Sequence, residues 1–149
     1  MALATGPGTE TLHAHHFENV SAAATQNLIV GVQHHIYTVL SIVCFASGVN
    51  ATSNKLLIWV GGYDLQAGTT ARDFYICQQP MAAGATFVWN DKFSFNGYEP
   101  ADQSANLDAA GQIAVAAQGG GTPQTLSMST EHADTDIQVT VTYIDQNNA

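Results

Sequence analysis

Any reactive chemistry in this chain starts from its clustered histidines. "HAHH" sets His13, His15 and His16 together, and His34 and His35 are adjacent. Side chains two apart in an extended chain share a face, so His13 and His15 have a chelating spacing, whereas His34 and His35 point apart. A metal shared around a symmetry axis would suit such a cluster. Imidazole titrates near neutrality, so a pH-sensitive contact is the other use. The plainer expectation is loop and interface histidines that bind no metal. "TEHADTD" (130–136) gathers Glu131, Asp134 and Asp136, oxygen donors of the kind hard cations take. It lacks the glycine and final glutamate of an EF-hand loop, and reads as an acidic turn before the last strand.

The motifs of hydrolases and phosphate-binding enzymes are missing. There is no GxSxG, no HExxH and no phosphate loop, and "QGGGTPQ" has no strand–helix frame around it. Twelve acids offer carboxylate pairs for glycoside hydrolysis, yet nothing in the sequence sets two of them at a working separation. The chain is expected to be no enzyme and to carry no cofactor. Cys44 and Cys77 lie in apolar runs without a CxxC, which reads as two buried free thiols. A bridge would need their strands to be neighbours. Trp59, Tyr63, Trp89 and Tyr98 are candidates for stacking on sugar rings. Trp59 and Trp89 fall inside predicted strands and suit packing; Tyr63 and Tyr98 fall in predicted loops and suit ligand contact. "NAT" (50–52) matches a glycosylation acceptor, which has meaning only in a secreted chain.

Those residues must be held by one domain. A chain of 149 residues buries roughly 70% of its unfolded surface. Only 10% of the residues are charged, against about 25% in an ordinary domain. Lys55, Arg72 and Lys92 face twelve acids, for a net charge of −9. Three cations neutralise few phosphates, so neither nucleic acid nor an anionic membrane is an expected partner. Alanine, threonine, glutamine, asparagine, serine and glycine replace the charge, a composition suited to surface covered by other subunits. No signal peptide is evident in residues 1–20, and no apolar run reaches a membrane-spanning length. The expectation is a soluble protein made in a cytoplasm.

The hydrophobic pattern is β throughout. Residues 1–26, small and polar, read as an extended N-terminal arm, and 27–149 as the sandwich domain. Strands are predicted at 28–32, 35–46, 55–62, 73–79, 85–90, 92–96, 112–118, 125–130 and 136–145, with turns between them. About eight antiparallel strands without an amphipathic helix give a β-sandwich, most simply a jelly roll.

Three predicted strands are apolar on both faces. Over 35–46 one face carries His35, Tyr37, Val39, Ser41, Val43 and Phe45, and the other Ile36, Thr38, Leu40, Ile42, Cys44 and Ala46. The runs 56–60 and 112–117 behave alike. Antiparallel sheets usually wet one face, so the second needs cover from the arm or another chain. Tyr37, Val39, Val43, Phe45, Trp59, Ala114 and Ala116 are therefore predicted oligomer contacts, with a closed trimer as the expected assembly.

The order of segments resembles small β-sandwich virion proteins of tailed bacteriophages. Tyr37–Val39 matches a "YTV" strand, Asn50–Asn54 an Asn/Ser/Thr-rich turn, and Leu56–Val60 a "V-x-V/I-W" strand. Pro80–Gly84 matches "P-x-x-A-G" and Asp136–Tyr143 the closing "D-V-x-V-T-V-x-Y", so the resemblance spans about 35–145. Leu40 stands where the family usually has proline. The resemblance implies a non-enzymatic virion part, a capsid decoration or cement protein on the outer shell that clamps neighbouring major capsid proteins. Under that reading Leu12, His13, His15, His16 and Phe17 of the arm contact the capsid. A tail-fibre or receptor-binding domain holding host glycan through Tyr63 and Tyr98 is the alternative.

Overall fold

The computed structural model describes residues 8–63, 72–99, 109, 110, 113 and 122–148. Eleven strands are described: β1 (Thr9–Val20), β2 (Gln26–Val30), β3 (His35–Gly48), β4 (Lys55–Tyr63), β5 (Arg72–Pro80), β6 (Thr86–Trp89), β7 (Phe93–Asn96), β8 (Tyr98–Glu99), β9 (Thr122–Pro123), β10 (Thr125–Thr130) and β11 (Asp136–Asn147). One sheet runs β1-β11-β3-β6 with β7 also on β3, and the other runs β2-β10-β4-β5. The two-residue strands β8 and β9 form a small ladder. All pairings between strands are antiparallel. The chain behaves as one long hairpin, β1 with β11, β2 with β10, β3 with β6 and β7, and β4 with β5, wound into two sheets. That strand order is a jelly roll. Ile42, Val139 and Val141 of one sheet and Leu56, Ile58, Leu126 and Met128 of the other are fully buried between the sheets.

A bulge accounts for the two apolar faces of β3. Val39 pairs with Tyr143 and Ser41 with Thr142, so Leu40 is an extra residue and the register shifts there. Such a bulge reverses which residues face inward. Tyr37 and Val39 are buried before it, and Ile42, Cys44 and Ala46 after it. Half of each predicted face therefore lines the core. Tyr37 and Val39, predicted oligomer contacts, are core residues of a single chain. On the other edge of β3, β7 pairs with residues 36–39 and β6 with 42–45. The two act as one strand broken opposite the bulge. Trp89 Nε1 donates to the Asp91 carbonyl at 2.9 Å and fastens the break.

Two expectations change. Residues 9–20 are extended but do not form an arm apart from the sandwich: β1 pairs with β11 from Thr9–Asn147 to Val20–Ile137 and is an edge strand of the sheet. The predicted strand at 112–118 is not present at Ile113, whose backbone is helical, as are Ala109 and Ala110. Ala114 and Ala116 lie outside the described residues. Among the described residues no helix is long and apolar enough to cross a membrane. One end of the sandwich closes by backbone contact. Gly31 N–H donates to the Gln124 carbonyl, Gln124 N–H to the Gly97 carbonyl and Gly97 N–H to the His35 carbonyl. A Cβ on Gly31 would lie 1.9 Å from the Gly97 carbonyl oxygen, so the junction has no room for a side chain.

Candidate interaction surfaces

The histidines join an aromatic row instead of converging on a site. His13, His15 and Phe17 project from β1 on the core side, where His13 and His15 lie 5.2 and 5.6 Å from the Tyr143 ring. Tyr143 meets Tyr37 edge-on at 6.0 Å, and Tyr37 stacks on Phe95 at 5.3 Å. Tyr37 Oη accepts from Val32 N–H, but burial and the negative Asp145 raise its pKa to about 12. Burial and Asp145 raise Tyr143 as well. His35 Nδ1 lies 2.6 Å from Asp145 Oδ1, which places a proton on that nitrogen. His34 has a left-handed backbone, φ 63°, in the turn before β3. No group of three or more His, Cys, Asp or Glu among the described residues could hold a metal ion.

The acids of 130–136 make a turn that is tied to its neighbours. Lys55 N–H donates to Glu131 Oε2, and Asp134 N–H donates to His132 Nδ1. Buried Thr135 donates its hydroxyl to the Ser53 carbonyl at 2.9 Å and accepts from Asn50 N–H at 3.0 Å. Cys44 and Cys77 are free thiols on facing sheets. Burial, with a lesser push from Cys77, raises the Cys44 thiol to about 12; burial raises Cys77 too.

The outward side of the five-stranded sheet gathers residues that the sequence reading treated separately. His16 pairs with Thr140, Thr140 with Val43 and Val43 with Val88, a single row across four strands. The row on one side carries Gln138, Phe45 and Thr86; on the other, Ala14, Thr142 and Ser41 come first, and the row beyond them carries Leu12, Ile144, Thr38 and Ser94. Val43 and Phe45 are each 38% exposed, Val88 49% and Leu12 67%. The strands of this sheet contain no lysine or arginine. Predicted oligomer contacts Val43 and Phe45 thus share a face with predicted capsid contacts Leu12 and His16. His13, His15 and Phe17 lie on the opposite side of β1.

A second surface is the open edge between the sheets. Phe74 and Ile76 of β5 face Trp89 of β6 and Phe93 and Phe95 of β7 across an apolar slot of about 320 Å³. Phe74 is 64% exposed there. The sequence reading missed this slot, although its signal was present: Phe87 and Trp89, then Phe93 and Phe95, alternate as one aromatic side of the broken strand. Trp89, predicted to pack, lines the slot. Trp59 instead lies on the outward side of the four-stranded sheet, 5.6 Å from Tyr75. Tyr98 is partly buried in β8, and the Tyr63 side chain lies outside the described residues.

No family model matches the chain. No curated protein matches it. Among solved structures it is similar to a chain of the Bacillus endospore appendages, a family of disulfide-linked pili, at 11% identity and a TM-score of 0.41, covering 100% of this chain and 97% of that one. It is similar to a chain of the T13 IBDV viral particle at 11% identity and a TM-score of 0.27, covering 97% of this chain and 42% of that one. A chain of infectious bursal disease virus, Gx strain, gives 11% identity, a TM-score of 0.29, and coverage of 97% and 43%. The chain spans less than half the length of those two viral chains. At these values the likenesses carry no argument about function.

Proposed function

We propose that this chain is a structural protein of a tailed-phage particle, a decoration or cement protein that binds the outer shell and ties neighbouring major capsid proteins together. The observation that carries this reading is the outward face of the five-stranded sheet. Exposed Val43, Phe45, Val88 and Leu12 lie among threonines on strands without a cation. Apolar surface of this kind marks a binding face, and depletion of charge is characteristic of interface centres. The resemblance over 35–145 supplies the shell as its partner.

Cementing needs buried area and no reaction. A protein that binds the closed shell and not its separated parts stabilises the closed state by linkage. The same reading makes the chain a homotrimer, made in the host cytoplasm and carried on the virion exterior. The aromatic slot at the sandwich edge would take a side chain of the neighbouring copy, a head-to-tail contact that closes in a ring. The net charge of −9 disfavours binding to the packaged nucleic acid.

Copy number tests the reading. Quantitative mass spectrometry of purified particles should find this chain in hundreds of copies, near one per major capsid protein. A few copies up to a few tens would place it in the tail, and its absence from particles would reject a virion role.

A further inference from the structure

The four-stranded sheet ends in β2 on one side and β5 on the other. Residues 26–30 of β2 and 74–79 of β5 contain no Asp, Glu, Lys or Arg, so charge guards neither edge. Such edges offer unpaired N–H and C=O groups to another strand. Each link across the sheet, β2 with β10, β10 with β4 and β4 with β5, is antiparallel, so β2 and β5 run in opposite directions. A rotation about an axis along the strands preserves those directions. In a ring built on that axis, β2 of one copy meets β5 of the next in antiparallel sense and continues the pattern of the sheet.

Height and exposure single out the contact. Ile29 pairs with Leu126, Leu126 with Val60 and Val60 with Phe74, one row from edge to edge. The same rotation preserves height, so the end of β2 in one copy arrives beside Phe74 of its neighbour. Phe74 is 64% exposed, Val30 55% and Val32 50%. The slot and the outward face of the five-stranded sheet account for the other exposed large apolar residues of the described strands. That leaves Val30 and, just beyond β2, Val32.

Charge fits the same pairing. Residues 9–30, the β1–β2 edge, carry Glu10 and Glu18 and no Lys or Arg. Two of the three cations of the chain belong to the opposite edge: Arg72 begins β5, and Lys92 lies between β6 and β7. There they offset Asp73 and Asp91. An acidic edge in a chain of net charge −9 meets less repulsion against that edge than against a copy of itself.

We infer that the aromatic slot of one copy is covered by the β1–β2 edge of the next, with β2 antiparallel to β5 and Val30 and Val32 packed on Phe74. The inference rests on the slot contact proposed above and names the part of the neighbour that makes it. The two surfaces lie on opposite edges of each copy, so every copy uses both and the set closes as a ring.

Light scattering on the full chain tests it. Phe74→Glu spoils the slot and keeps the β2 edge; Val30→Asp spoils the β2 edge and keeps the slot. Each variant alone should fall from three times the monomer mass to the monomer mass with its strand signal in circular dichroism unchanged. Mixed in equal amounts, they should form a dimer of twice the monomer mass, because one sound edge and one sound slot remain and the ring cannot close. Val88→Asp, on the outward face of the other sheet, should stay at three times the monomer mass. Should Val30→Asp fail to fold, Val32→Asp takes its place. A folded Val30→Asp that keeps the wild-type mass while Phe74→Glu is monomeric would overturn this inference and leave the slot contact standing. A mixture that stays monomeric would overturn it too. A wild-type monomer would overturn both the inference and the slot contact on which it rests.

Discussion

Ile42 and Val43 are neighbours in β3, yet one is fully buried and the other faces outward. Replacing Ile42 with alanine should cost about 2–5 kcal/mol by leaving a cavity between the sheets, read as a lower denaturant midpoint. Val43→Asp should leave the midpoint nearly unchanged. Its effect should appear in particles, as at least a tenfold drop in the copies retained on the shell. Two buried acids set the alkaline limit of stability. Cys44 rises from 9.0 to about 12 in the fold, and Tyr37 from 10.0 to about 12. Below pH 9 both groups are protonated whether the chain is folded or unfolded, so their contribution is complete. Above it the unfolded chain loses these protons first, and stability falls as pH rises towards 12. Each pH unit costs up to about 1.4 kcal/mol per group where only the unfolded form has ionised. Urea melts across this window should show the decline, and Cys44→Ala should make it shallower. Alternation at residues 36–46 was legible in the sequence, but the inward side of each residue was not. The Leu40 bulge exchanges the faces halfway along, and no residue type at that position announces it.

At the scale of elements, β1 was the strand the sequence concealed. Its core-side residues include His13 and His15, which pack as rings against Tyr143, and Phe17, which stacks on His15, so the aliphatic alternation of a central strand is missing. An edge strand buries less of each side chain and needs less of that pattern. At Ile113, the described position of the predicted strand at 112–118, the reading erred the other way: the alternating apolar residues satisfied the period, yet the backbone there is helical. Both cases follow from reading periodicity where tertiary pairing decides. If residues 1–26 were an arm, deleting them would leave the sandwich intact. With ten residues of β1 paired to β11, deletion of 1–20 should lower the melting temperature by ten degrees or more and expose the β11 edge to aggregation. Circular dichroism melts and light scattering decide between the two. Deleting Leu40 alone should be tolerated far better, because it would join Val39 to Ser41, remove the bulge and leave Tyr37, Val39, Ile42, Cys44 and Ala46 facing inward in regular alternation.

For the whole molecule, the jelly roll was legible because its long strands carry the pattern, whereas its surfaces emerge only once the strands are paired. The register unites His16, Thr140, Val43 and Val88, four residues that lie far apart in sequence. It also sets Phe74 opposite Phe93 and Phe95 across the open edge. That slot separates a monomer from an assembly. An exposed apolar slot with edge strands on both sides is a liability for a free monomer, and edges of this kind are normally charged or covered. The stretch 74–79 of β5 has no charged residue to guard its edge. A chain that leaves it so should be covered by its neighbour, and the purified protein should show about three times the monomer mass of 15.7 kDa in light scattering. The contact is apolar, so the mass should hold between low salt and about 1 M salt, where screening removes charge-driven association. Phe74→Glu should then release folded monomers, recognised by an unchanged strand signal in circular dichroism. A wild-type protein already at the monomer mass would rule out the ring and leave the slot open to a different occupant. Trimers that persist in Phe74→Glu would move the contact between copies to the outward face of the five-stranded sheet, where Val43→Asp is the variant that should then dissociate them.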